Sequence, residues 1–177
     1  MHRILLDLCG ADGGVAPLLA GAKALLDKRE DVTLTLFGPE EEARAALGDH
    51  PRVSTVNCTD AITNLDPPTC VLRGREGASM VAALDALKRE EDACGLLCAG
   101  NTGALLVGAT FRLGLEEGLK MPALSSSLPT VGGGRACLVD CGANVGAAAA
   151  DLVTFARLGA AFARKSYHKE NPTVALL

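Results

Sequence analysis

The sequence predicts an α/β fold with a largely parallel sheet. Short apolar runs alternate with longer segments of helical period, and glycine or another turn residue closes each run, which is the pattern of repeated βα units. Aromatic residues make up only 3% of the chain and Trp is absent, so the core has to be built from Ala, Leu and Val packed closely around 20 Gly. A length of 177 residues, 49% hydrophobic and 21% charged, suits a single domain with a real core and excludes disorder driven by charge.

The expected strands are 3–8, 33–37, 52–57, 93–99, 136–140 and 173–177, each of them short. Between them, 17–28 reads as a helix with Pro17 in its first turn, where a missing N–H does no harm, and Leu18, Leu19, Ala22, Leu25 and Leu26 on one face. Segment 39–47 opens with Pro and three Glu, which suits the positive end of a helix dipole. Helices are also expected over 79–91, with Met80, Ala83, Leu84 and Leu87 at helical spacing, and over the Ala-rich stretches 102–115 and 147–165. Loops fill 10–16, 59–75, 116–129 and 132–134. The apolar end, Thr173 to Leu177, reads as an interior strand, which leads us to expect a chain cut from a longer one.

A net charge of -4 gives no electrostatic footprint for nucleic acid. No apolar run approaches the roughly 20 residues that span a bilayer, and Asp7 comes too early for a secretory signal, so a cytoplasmic protein is expected. Seven cysteines, most of them in apolar runs, read as free thiols. Cys94/Cys98 and Cys137/Cys141 fall on expected strands, where four residues at about 3.3 Å each separate the members of a pair too far for one zinc ion.

Three expected strand ends run into small-residue loops: Asp7-Leu8-Cys9-Gly10-Ala11-Asp12, Ala99-Gly100-Asn101-Thr102-Gly103-Ala104 and Asp140-Cys141-Gly142-Ala143-Asn144. In a parallel sheet these loops share one edge, where open α/β sheets bind ligands. Gly100 to Gly103 leads into a helix with Thr102 as an expected cap, so free N–H groups and the helix dipole suit a phosphate. Arg73 and Arg75 precede a helix that Ser79 or a neighbour could cap, a second anion-friendly feature, although a solvated loop explains them as well. No nucleotide fingerprint and no covalent triad is present.

Read together, these loops resemble the phosphate acyltransferase family of bacterial phospholipid synthesis, the PlsX family. The resemblance rests on Asp7-x-x-Gly10-x-Asp12, Ala99 to Ala104, Leu128-Pro129-Thr130 and Asp140-x-Gly142-Ala143-Asn144, with Pro68, Leu72-Arg73, Ser79-Met80 and Phe155-Ala156-x-x-Gly159 at matching spacing. It implies a three-layer α/β sandwich similar to phosphotransacetylases and isopropylmalate dehydrogenases, acting as a homodimer without metal or nucleotide cofactor. The implied reaction moves a fatty acyl group from acyl carrier protein to inorganic phosphate, with transient membrane-surface association open. On this resemblance Asn101, Thr102 and Asn144 are the expected catalytic groups. Asp7, Gly10, Asp12, Arg73, Ser79, Gly100, Gly103, Thr130, Asp140 and Gly142 are expected to bind substrate. Asn101→Ala is expected to lower turnover at least tenfold without unfolding. One departure stands out: Gly146-Ala147-Ala148-Ala149-Ala150 replaces a polar Asp-Cys-Lys-Pro-Glu-like segment. A non-catalytic module binding phosphate or carrier protein, or an inactive fragment, is therefore the alternative.

Overall fold

Leu5, Leu6 and Leu8 are all buried because β1 (His2–Asp7) runs through the interior of a four-stranded sheet that is covered on both faces. The computed structural model describes residues 1–177, which gather into two units, Met1–Gly114 and Leu115–Leu177. In the first, the elements follow as β1, α1 (Val15–Lys28), β2 (Val32–Gly38), α2 (Glu40–Leu47), β3 (Val53–Asn57), a 3-10 turn (Pro68–Leu72), α3 (Ser79–Arg89), β4 (Ala93–Cys98) and α4 (Thr102–Gly108), which continues as a π-helical turn (Ala109–Leu113).

The strands lie in the order β3-β2-β1-β4 and every pairing is parallel. Side chains alternate along each strand, so two separate cores form. Leu6, Leu8, Leu34 and Leu36 pack with Leu19, Ala22 and Leu26 of α1 and with Ala43 of α2. On the opposite face Leu5 and Phe37 meet Ala83 and Ala86 of α3. Helices on both faces give the three layers, and burial on both sides explains why β1 and β2 read as near-continuous apolar runs.

The chain moves outward from β1 to β3 and then returns through α3 to β4 on the other side of β1. That reversal places the topological switch point between β1 and β4, whose ends sit side by side with Asp7 opposite Cys98. The helix expected over 102–115 keeps α geometry only to Gly108. There α4 closes on its neighbours so tightly that a Cβ would stand 2.5 Å from Leu84 Cδ1 and 3.0 Å from Val71 Cγ2. In the following π-helical turn Arg112 donates to the Val71 carbonyl and pairs with Asp85 at 2.9 Å.

The second unit holds β5 (Ser125–Pro129) and β6 (Arg135–Val139), an antiparallel hairpin, with α5 (Ala149–Tyr167) against β6. Gly159 permits that contact, since a Cβ would lie 2.8 Å from Val139 Cγ2. Three expectations are corrected here. Ser125–Pro129 is a strand and not part of a loop; its serine run shows no apolar alternation, and its regularity comes from hydrogen bonding to β6. The strand expected over 136–140 lies in this hairpin and not in the parallel sheet. Residues 173–177 form no strand, because none of their backbone groups pairs with another segment, and pairing is what defines a strand. At the start of α5 Asp151 accepts from the Ala148 N–H at 2.9 Å, serving one of the orphan donors there. No helix is long and apolar enough to cross a membrane.

Candidate functional site

At the switch point the loops after β1 and β4 meet backbone to backbone. Gly10 has φ +77°, and a Cβ on it would stand 2.2 Å from the Ile62 carbonyl oxygen; a Cβ on Gly100 would stand 3.4 Å from the carbonyl oxygens of Cys9 and Gly10. Directly beneath, alternation along β1 turns Asp7 to the α3 face, where it is 1% exposed. Its Oδ1 accepts from the Cys9 N–H at 3.1 Å and its Oδ2 from the Cys98 thiol at 3.2 Å. Burial pushes the Asp7 carboxyl above its ordinary value, against the opposing help of the Cys9 N–H and the Cys98 thiol. Burial, together with the Asp7 charge, pushes the Cys98 thiol up to about 12.

A raised carboxyl pKa has a definite consequence for stability. The folded chain holds the Asp7 proton more tightly than the unfolded one, so the contribution is complete below pH 3.8 and is lost as pH rises through the raised value. Asp7→Asn is expected to remove that part of the slope. Urea unfolding from pH 4 to 7 should show wild type losing stability relative to the variant, whereas parallel curves would exclude Asp7 as the source.

The loop from Cys58 to Pro67 lies against both strand-end loops. Ile62 is buried beside Gly10, Asn64 Nδ2 donates to Asp12 Oδ1 at 2.9 Å, and Asp66 Oδ2 accepts from the N–H and hydroxyl of Thr63 at 2.7 and 2.8 Å. Asn101, 7% exposed, ties this loop to α4: its Nδ2 donates to the carbonyls of Thr63 and Asp66 at 2.9 and 3.0 Å, and its Oδ1 accepts from the Ala104 N–H at 2.9 Å. The cap of α4 is therefore Asn101 and not Thr102. Asn is the better cap here, because one side chain serves the orphan donor of α4 and two loop carbonyls at once. Thr102 is exposed, and its N–H and that of Gly103 have no protein acceptor, as expected in a first helical turn. Gly103 is held closely by Pro68, whose Cγ would be 2.9 Å from a Cβ.

Of the other expected site residues, Arg73 and Ser79 belong to the first unit and the rest to the second. Arg73 is exposed and without an ion pair, while Ser79 is fully buried with no hydrogen-bond partner for its hydroxyl, so the two do not form one exposed anion site. Nor does Ser79 cap α3: the cap is Ala78, with no side-chain bond, and the Ser79 N–H donates to the Asp60 carbonyl. Arg75, the other basic group of that stretch, is paired with Asp60 and Asp66. Thr130, Asp140, Gly142 and Asn144 belong to the second unit. Thr130 closes the β5–β6 hairpin, its hydroxyl accepting from the Gly134 N–H at 3.0 Å. Asn144 Nδ2 donates to Asp140 Oδ1 and to the Pro122 carbonyl, fixing a turn in which Asp140 and Gly142 both have positive φ. Since β6 is not in the parallel sheet, this loop is not one of that sheet's C-terminal loops.

Sequence reasoning missed Asp60, Thr63, Asn64 and Asp66, although the density of Asx and Thr in Thr59-Asp60-Ala61-Ile62-Thr63-Asn64-Leu65-Asp66-Pro67 was a signal for a side-chain-bonded loop. A groove of the first unit lies elsewhere, between Glu40, Glu41, Glu42, Arg44 and Asn57, and its excess of carboxylates suits no anion. No group of three His, Cys, Asp or Glu side chains is placed to hold a metal ion.

The family described as "Fatty acid synthesis protein" matches residues 2–177. The chain belongs to this family. A phosphate acyltransferase of Xanthobacter autotrophicus is 39% identical over 180 residues, covering 99% of this chain and 50% of that protein. One from Bacillus cytotoxicus is 36% identical over 176 residues, covering 99% of this chain and 53% of that protein. The chain thus spans about half the length of the curated relatives it matches. A branched-chain phosphotransacylase from Enterococcus faecalis V583 aligns with TM-score 0.58 at 19% identity, over 93% of this chain and 51% of that one. This family member therefore shares the α/β fold of a phosphotransacylase, with the mostly parallel sheet that its own sequence predicts.

Proposed function

We propose that this chain carries the phosphate-binding part of an acyltransferase that moves a fatty acyl group from the thioester of acyl carrier protein to inorganic phosphate, giving an acyl phosphate for phospholipid synthesis. The observation that supports this most is the switch point, where Gly10 and Gly100 let the strand-end loops close backbone to backbone and the N–H groups of Thr102 and Gly103 have no protein acceptor. Relatives that bear the name phosphate acyltransferase support the reaction class.

The chemistry asks little of side chains. A phosphate oxygen attacks the thioester carbonyl, the tetrahedral oxyanion is stabilised by backbone N–H groups, and its collapse expels the carrier thiolate while the new carboxylic–phosphoric anhydride bond remains. On this reading Thr102 and Gly103 supply N–H donors, Gly10 and Gly100 let the loops that carry them pack backbone to backbone, and Asn101 holds the turn in place.

A binding module without turnover is the second reading. It is favoured by Gly146-Ala147-Ala148-Ala149-Ala150, which is exposed and uncharged where the family resemblance calls for polar groups. Incubation with acyl-carrier-protein thioester and phosphate, with hydroxylamine trapping, decides between them. The first reading expects acyl hydroxamate that increases with phosphate; phosphate binding without hydroxamate would establish the second. Neither signal, with a full-length relative active in the same assay, would overturn both.

A further inference from the structure

The geometry points to Arg75 as a positioning residue that orders the first turn of α4 through the Cys58–Pro67 loop, without itself touching an anion. Its guanidinium uses four of its five N–H donors. Nε donates to Asp60 Oδ2 at 2.7 Å, Nη2 to Asp60 Oδ1 at 2.8 Å and to the Ala61 carbonyl, and Nη1 to Asp66 Oδ1 at 3.0 Å. All three partners belong to one loop. The planar fork therefore fixes two carboxylates and a carbonyl of that loop relative to the segment that begins α3.

From Arg75 a continuous chain of hydrogen bonds reaches α4. Asp66 uses its second oxygen to hold the N–H and hydroxyl of Thr63, so Arg75 and Thr63 grip the same carboxylate from opposite sides. The carbonyls of Thr63 and Asp66 are the two acceptors of the Asn101 amide. The other end of that amide accepts from the Ala104 N–H. Between Asn101 and Ala104 lie Thr102 and Gly103, whose N–H groups the proposed function uses. Without the cation, Asp60 and Asp66 become two like charges in one loop with nothing between them, and the loop opens. Asn101 then loses its anchor points, and the first turn of α4 frays.

Arg75 is partly exposed, at 24% of its side chain, so replacing it does not leave a cavity in the core. Lysine is not an adequate substitute, because a single ammonium cannot bridge both carboxylates and a carbonyl in one plane. The role is thus specific to the fork, which separates it from general charge balance.

Two readouts on the 177-residue chain test this, using nitrogen-15 correlation spectra with inorganic phosphate as the probe. The exchange arm rests on the hydrogen bonds alone, and the phosphate arm rests on the proposed function. Arg75→Gln is expected to speed amide exchange at Ala104 at least tenfold and to weaken phosphate-induced shifts of Thr102 and Gly103 at least fivefold in affinity, with the spectrum of β1 and β2 unchanged. Arg75→Lys is expected to behave like Arg75→Gln. Asp66→Asn, which keeps an oxygen for Thr63 and turns an amide N–H toward Arg75 in place of the accepting oxygen, guards against misfolding of the Arg75 variants and should shift both readouts in the same direction by a smaller factor. Unchanged exchange at Ala104 in folded Arg75→Gln, or full rescue by lysine, overturns the inference. Fast exchange in the variants with no phosphate shifts even in wild type upholds the positioning role and removes the anion reading instead.

Discussion

Gly10→Ala is expected to destabilise the first unit by about 3 kcal/mol, combining roughly 1 kcal/mol for a left-handed backbone with the larger part for forced displacement in a packed interior. The displacement cannot be relieved by a side-chain rotation, because the atom in the way, 2.2 Å from the added Cβ, is the backbone oxygen of Ile62. Ile62 is 1% exposed and anchored among Val71, Met80 and Leu84, so either the loop lifts and uncovers that cluster or the turn after β1 gives way. Gly74→Ala is the internal control. Gly74 also has positive φ, +75°, but nothing lies within 4 Å of its added Cβ, so only the conformational term of about 1 kcal/mol applies. Urea midpoints at constant m-value should separate the two variants clearly. Equal losses would show that the loops after β1 and β3 do not press on each other as the structure has them.

That contact was invisible in the sequence, and the reason is instructive. Gly10 announced a turn because glycine punctuates an apolar run, but the residue that presses on it is 52 positions away and contributes only a carbonyl. The strands β1 and β2 were legible for the opposite reason: burial on both faces leaves a near-continuous apolar run in each, and glycine or polar turns bound them. β5 had no such trace. Its Ser125-Ser126-Ser127 run is exposed and becomes a strand only through β6. The final apolar residues show the converse, since hydrophobicity marks what a strand could bury and not whether a partner is present. At the site, the residue types were legible in the sequence while their partners were not. Arg75 looked available for an anion because its charge was visible and the carboxylates of Asp60 and Asp66 were 15 and 9 residues away.

Asn101 shows most directly how the structure changes an expected result. From sequence, Asn101→Ala should lower turnover at least tenfold and leave the fold alone. With all three of its amide hydrogen bonds committed to Ala104, Thr63 and Asp66, the same variant is now expected to lose about 1 kcal/mol for the cap and a further 1–2 kcal/mol for two loop carbonyls left without their donor. If the proposed acyl transfer holds, turnover falls at least tenfold as well, because Thr102 and Gly103 stand in the turn that Asn101 holds. Asn101→Asp divides the two functions of the side chain. Its oxygen can still accept from Ala104, and its negative charge suits the helix N-terminus, yet it has no donor for the carbonyls of Thr63 and Asp66 and places a charge against them. Cap retention with loss of the loop contact should make Ala104 exchange slow and Asp66 exchange fast in this variant, with turnover as low as in Asn101→Ala. If Asn101→Ala instead loses turnover at an unchanged urea midpoint, the amide is not occupied by the loop in solution and is free to meet the substrate directly.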